Sequence, residues 1–92
     1  MHQDILQQAA AVFGLSLADL VGPSRQRHIA EARQAAAYAL RRRTSLSLAA
    51  VGELLGGRDY TTILHAARAA EQRAVVNPTY ASQLAALAHG GA

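Results

Sequence analysis

The chain contains no cysteine, and all nine of its basic residues are arginine, with no lysine among them. Without cysteine, neither a disulfide framework nor a thiolate metal site is available, which fits a reducing compartment. Without lysine there is no Walker A phosphate loop, so nucleotide-binding chemistry of that type is excluded. No apolar run approaches the ~20 residues needed to span a bilayer. The N-terminus lacks the basic and apolar regions of a signal peptide, and the expected location is the cytoplasm. Only two prolines are present, both near expected element boundaries, and no segment sustains strand-like alternation.

What is present points to helices. Ninety-two residues suit one domain, 1–92, with a modest core, and the abundant alanine favours an all-α fold. Nine arginines against six acids give a formal charge of +3. Arginine's planar fork suits phosphate oxygens and guanine edges, so the balance favours an anionic partner. A codon-biased genome that writes arginine for lysine accounts for the ratio equally well. The acids Asp4, Asp19, Glu31, Glu53, Asp59 and Glu71 form no obvious pair, and no Ser-His-Asp arrangement is indicated. His2, His28, His65 and His89 are scattered, with no i, i+4 pair. Neither enzyme, metal nor cofactor is therefore expected.

In chain order, Ile5, Ala9, Val12 and Phe13 share a face and predict a helix over Asp4 to Phe13, closed by Gly14. Ser16 can cap a short turn in which Leu17 and Leu20 face the core, and Gly22-Pro23 then punctuates the chain. The longest candidate helix runs from Ser24 to Arg43, with Ile29, Ala32, Ala36 and Leu40 as its stripe and Tyr38 pointing elsewhere. Arg25 and Arg27 lie at its start, where the dipole disfavours cations, so they answer to something external or belong to a solvated face. Arg41-Arg42-Arg43 suits a helix C-terminus without any further role. Asn77 and Pro78 open a last helix with Tyr80, Leu84 and Leu87 as its packing stripe, closed by Gly90-Gly91.

The organising stretch lies between. Ser47 can cap a helix carrying Leu48, Val51, Leu54 and Leu55, Gly56-Gly57 ends it, and Asp59 can cap the next. This is a helix-turn-helix over about 47–74, whose second helix can enter a major groove. At 100° per residue, Ile63, Ala66, Ala67 and Ala70 face the core. Thr61, His65 and Arg68 cluster on another side, with Thr62 between. Arg58 and Asp59 sit at the tip, where Arg can bridge guanine O6 and N7 and Asp can accept from cytosine N4. A plain N-cap is the other reading of Asp59, and a packing histidine that of His65.

The run GGRDYTTILHA closely resembles GGRDHTTVLHA in the C-terminal DNA-binding domain of the bacterial replication initiator DnaA. Upstream, Arg25-Gln26-Arg27-His28-Ile29-Ala30 and Ala32-Arg33-Gln34 are similar to that family's R-x-R-x-[IV]-A-x-x-R-Q element. Ser47-Leu48 with Val51-Gly52 looks like its S-L-x-x-[IV]-G. The resemblance spans roughly Leu15 to Ala70 and implies a small TrpR-like helix-turn-helix of the DnaA domain IV type. It implies major-groove reading by Arg58, Asp59, Tyr60 and Thr61, and minor-groove reading by Arg25. It also implies phosphate contacts from Arg27, Arg33, Gln34, Arg41, Thr62, His65 and Arg68. Two positions depart from the family: Tyr60 stands where it has histidine, and Ala69 lies near a usual basic residue.

The partner expected from this reading is duplex DNA carrying a box like the family's TTATCCACA, bound by a monomer in the bacterial nucleoid. The chain would be either the excised domain of a full initiator or a small free-standing protein that occupies initiator boxes. The alternative class is a helical protein-interaction module, or a nonspecific nucleic-acid binder, using the same arginines.

Overall fold

A computed structural model describes residues 2–89 of the chain. Among them are six helices and no strand, in agreement with the all-α expectation: α1 (His2–Phe13), α2 (Leu17–Val21), α3 (Arg27–Arg43), α4 (Leu48–Leu54), α5 (Tyr60–Val76) and α6 (Pro78–Ala88). The caps act locally as expected. The Ser16 hydroxyl accepts from the Asp19 N–H at 3.0 Å, the Ser47 hydroxyl from Ala50 at 3.1 Å and the Asn77 side chain from Tyr80 at 3.0 Å. Gly14, at φ 68°, closes α1. Residues 90–92, with the expected Gly90-Gly91 closure, lie outside the described residues.

Helix α3 is the axis on which the others pack, touching α1, α2, α4, α5 and α6. Alanine makes that possible. Ala32, Ala35, Ala36, Ala37 and Ala39 are all fully buried, and side chains this short let neighbouring backbones approach from several directions at once. Around them Ile5, Leu20, Leu40, Val51, Leu55, Ile63 and Leu87 supply the bulk. The predicted α3 stripe is buried, and Tyr38 lies off it, half-exposed, as expected.

Two boundaries differ from the sequence reading. Helix α1 includes His2 and Gln3 ahead of the expected Asp4, and its buried face is wider than expected, taking in Leu6 and Ala10. Helix α3 begins at Arg27 rather than Ser24, because the groups that would start it earlier have other partners. The Ser24 carbonyl accepts from Arg33 at 3.1 Å, and the Ser24 hydroxyl accepts from the Gln26 N–H at 3.2 Å. The first helical bond of α3 is Ala30 N–H to the Gln26 carbonyl, 2.8 Å. Arg25 is consequently on a loop.

Helix α6 is held across α3 by Tyr80. Its hydroxyl donates to the Glu31 carbonyl at 2.8 Å, its ring lies 5.8 Å from that of Phe13, and the Arg73 guanidinium sits 5.4 Å over its face. Arg73 also pairs with Glu31 at 3.4 Å, so the end of α5 is tied to α3 through the same cluster. At the other end of α3, Arg43 donates to Gln8 at 2.7 Å and to the Leu87 carbonyl at 3.1 Å.

The turn between α4 and α5 depends on three glycines, Gly52 for close backbone approach and Gly56 and Gly57 for positive φ. The Gly52 carbonyl accepts from the N–H groups of Leu55, Gly57 and Arg58 at 3.2, 3.0 and 2.8 Å. A Cβ on Gly52 would lie 2.0 Å from the Arg58 carbonyl, so no larger residue fits. Gly56 and Gly57 take φ of 93° and 78°, which glycine reaches without steric cost.

Two measurements test this packing. Gly52→Ala is expected to lose about 3 kcal/mol, at the upper end for overpacking because the obstacle is backbone, read as a fall in the denaturant midpoint. Burial pushes the Tyr80 phenol up to about 12, against the opposing pull of Arg73. The folded state thus holds the neutral phenol, whose stabilisation is complete below about pH 10 and is lost as pH rises toward 12. Ultraviolet titration of the three tyrosines should show one ionising late, and Tyr80→Phe should remove that phase.

Candidate nucleic-acid interface

Helix α5 divides into two faces. Ile63 and Ala70 are buried, Leu64, Ala66 and Ala67 half-buried, while Thr61, Thr62, His65 and Arg68 are exposed. Exposure of His65 removes the reading of it as a packing histidine. At the tip, the Asp59 Oδ2 accepts from the Thr61 N–H at 3.0 Å. One carboxylate oxygen caps the helix, which leaves Oδ1 to accept from something else. Tyr60 is 57% exposed, a high value for a tyrosine at the first position of a helix anchored in the core.

The arginines sort into two populations. Arg33 is 8% exposed and donates only inward. Its Nε bonds the Leu20 carbonyl at 2.8 Å, Nη1 the Ser24 carbonyl at 3.1 Å, and Nη2 the carbonyls of Gly22 and Asp19 at 2.9 and 3.4 Å. Arg58 reaches the same place from the turn before α5. Its Nη2 bonds the Gly22 carbonyl at 2.8 Å, and Nη1 bonds the carbonyls of Leu55 and Val21. Burial, and for Arg33 the charge of Arg58, lower both pKa values from the ordinary range. Arginine remains protonated at neutral pH regardless.

These two side chains differ from expectation. The sequence reading has Arg58 on a base edge and Arg33 on a phosphate, but both guanidiniums are committed to backbone carbonyls around the end of α2. The physical cause is that a five-residue helix leaves its last carbonyls without intrahelical donors. The sequence marks the end of that short capped turn by Gly22-Pro23, but not which side chains reach its carbonyls.

The other candidates face outward. Arg25 and Arg68 are exposed and have no hydrogen-bond or ion-pair partner among the described residues. Arg27 is an exposed i, i+4 partner of Glu31 at 3.3 Å, a pair that contributes little. Arg41 donates to the Leu46 carbonyl at 3.3 Å, next to the start of α4. The Gln34 Oε1 accepts from the Arg73 Nη1, leaving the amide NH2 as the group able to donate to a phosphate. Arg42, outside the expected set, stacks 5.5 Å over the Tyr38 ring. Between α3 and α5 lies an open groove of about 410 Å³ whose lining includes Ala30, Gln34, Thr62, His65 and Ala69. Among the described residues, no group of three His, Cys, Asp or Glu could hold a metal ion. No described helix is long and apolar enough to cross a membrane.

A family model described as the bacterial dnaA protein helix-turn-helix matches residues 2–69. The chain belongs to this family. It is 52% identical over 61 residues to the chromosomal replication initiator protein DnaA of Picosynechococcus sp., covering 66% of this chain and 14% of that protein. It is 46% identical over 65 residues to the protein of the same name from Bifidobacterium animalis subsp. lactis, covering 71% and 11%. The DnaA of Thermomicrobium roseum is 46% identical over 69 residues, covering 75% and 15%. The chain thus corresponds to a small part of each DnaA relative. The matched residues run from α1 into α5 and include the glycine turn that joins α4 to α5.

The contrast between inward and outward arginines is testable by stability. Arg33→Ala leaves several carbonyls without a donor and is expected to cost about 3 kcal/mol, the upper range for bonds to a charged group. Arg27→Ala, at an exposed pair, is expected to change the denaturant midpoint by no more than about 0.5 kcal/mol equivalent.

Proposed function

We propose that this chain binds duplex DNA sequence-specifically at a DnaA-box-like site and serves replication initiation or its regulation. The observation that carries the reading is the N-terminal half of α5. Its Asp59-Tyr60-Thr61-Thr62 tip, His65 and Arg68 are all exposed, while Ile63 and Ala70 anchor the same helix in the core. A helix held by one face and polar on the other suits the major groove, with its N-terminal residues nearest the bases. Membership in the DnaA helix-turn-helix family and the replication-initiator names of the relatives support the biological setting.

The roles follow from the chemistry. Asp59 Oδ1 accepts from a cytosine amino group while Oδ2 keeps the cap. The Thr61 methyl packs on a thymine methyl, and the Tyr60 ring lies on a neighbouring base with its hydroxyl free to bond. Arg25, on the loop before α3, enters the adjacent minor groove, where A·T-rich sequence concentrates negative potential. Arg27, Arg41, Arg68, Thr62, His65 and the Gln34 amide hold phosphates, which sets register without reading sequence. The protein acts as a monomer and performs no catalytic step. It marks a site, and duplex melting falls to other machinery. Tyr60 in place of histidine shifts preference at one base of the box.

Fluorescence anisotropy with a duplex carrying TTATCCACA and a scrambled duplex of equal composition, across a salt series, tests this. The expected preference for the box is at least ~10³-fold. Arg25→Ala and Thr61→Ala should each lose about 1–3 kcal/mol of it. Arg68→Ala should weaken binding to both duplexes and lower the salt slope by about 1. Equal affinity for both duplexes would reduce the protein to a nonspecific basic module, and no binding to either would transfer its arginines to a protein partner.

A further inference from the structure

The minor-groove loop and the major-groove helix come from different parts of the chain, and the structure contains one device that joins them. Arg58 lies between the turn glycines and the cap of α5, so its backbone moves with the start of the recognition helix. Its guanidinium crosses to the end of α2 and bonds the carbonyls of Val21 and Gly22, at 3.4 and 2.8 Å, while also bonding Leu55 at the end of α4. Gly56 brings the same turn against the same segment. A Cβ there would stand 2.1 Å from the Val21 carbonyl, so the two backbones are in direct contact. Arg33 then grips Gly22 and Ser24 from α3. Arg25 follows Ser24 directly and has no side-chain anchor of its own among the described residues.

We propose that Arg58 is a positioning residue for minor-groove recognition: through the Val21 and Gly22 carbonyls it locks the loop carrying Arg25 to the start of α5, so that the two grooves are read as one unit. This rests on the assignment of Arg25 to the minor groove made above. Arg58 itself touches no base. Lysine cannot substitute, because a single ammonium on a flexible stem cannot span the ends of α2 and α4 with the fixed geometry of a guanidinium.

The test is a double-mutant cycle between Arg25→Ala and Arg58→Lys, with Arg58→Ala as a second variant, read by anisotropy on the box duplex. Each variant is first checked by circular dichroism for native helix content at the working temperature. A second duplex carries 2,6-diaminopurine for adenine at the A·T pairs facing Arg25. That base adds an amino group in the minor groove and leaves the major-groove edge of adenine unchanged. Wild type is expected to lose affinity on the diaminopurine duplex by roughly 10-fold or more, the discrimination of one specific contact.

If Arg58 positions the loop, Arg58→Lys binds the natural box about as weakly as Arg25→Ala and no longer feels diaminopurine, and the double variant is no worse than either single. Additive losses with the diaminopurine penalty intact would overturn the proposal and leave Arg58 a residue of stability alone. A wild type that prefers its box but ignores diaminopurine would overturn the assignment of Arg25, and this proposal with it. Native-like affinity of Arg58→Lys would overturn only the proposal.

Discussion

A five-residue helix ends at Val21 with carbonyls that no intrahelical N–H can reach, and two arginines from elsewhere in the chain supply the missing donors. The rest of the interface geometry depends on that arrangement. Arg33 comes from the central helix and Arg58 from the helix-turn-helix turn, so the end of α2 becomes the point where three segments meet. Burying a guanidinium is unfavourable unless its N–H groups are bonded, and here those groups face converging carbonyls. Both the late start of α3 and the exposure of Arg25 are consequences.

Arginine therefore does two kinds of work in this chain. Arg33, Arg43, Arg58 and Arg73 are drawn inward and tie helix ends to one another through carbonyl or amide oxygens. Arg25, Arg27, Arg41, Arg42 and Arg68 remain exposed. A formal charge of +3 does not separate the two populations, and a codon-biased excess of arginine would raise both. The five fixed donors of a guanidinium make it suited to gripping several carbonyls at once, as lysine is not. Which arginines stay exposed and so available to an anion is consequently a property of the fold rather than of composition.

Much of the architecture was legible because it is local. Ser16, Ser47, Asp59 and Asn77 cap the helices expected of them, since a side-chain oxygen two or three residues from an N–H needs no tertiary help. Gly14, Gly56 and Gly57 take positive φ at expected helix ends. The two faces of α5 also follow from 100° periodicity, with Ile63 inward and Thr61, His65 and Arg68 outward. The first residue of α3 was not legible, because the local bond from the Gln26 N–H to the Ser24 hydroxyl by itself suits a helix cap as well as a turn. What holds Ser24 out is the distant Arg33 side chain.

The sequence by itself determined the all-α class, a helix-glycine turn-helix expected over about 47–74, the family, and the polar tip of α5. Each of these is written in periodicity, caps or a contiguous run of residues. Only the tertiary structure decided which arginines are free. Arg33 and Arg58 sit in the most recognisable runs of the chain, yet their guanidiniums turn inward. A long charged side chain goes to whichever unsatisfied oxygen lies within reach, and the carbonyls of Asp19 to Ser24 come within reach only once α2, α3 and α4 have packed.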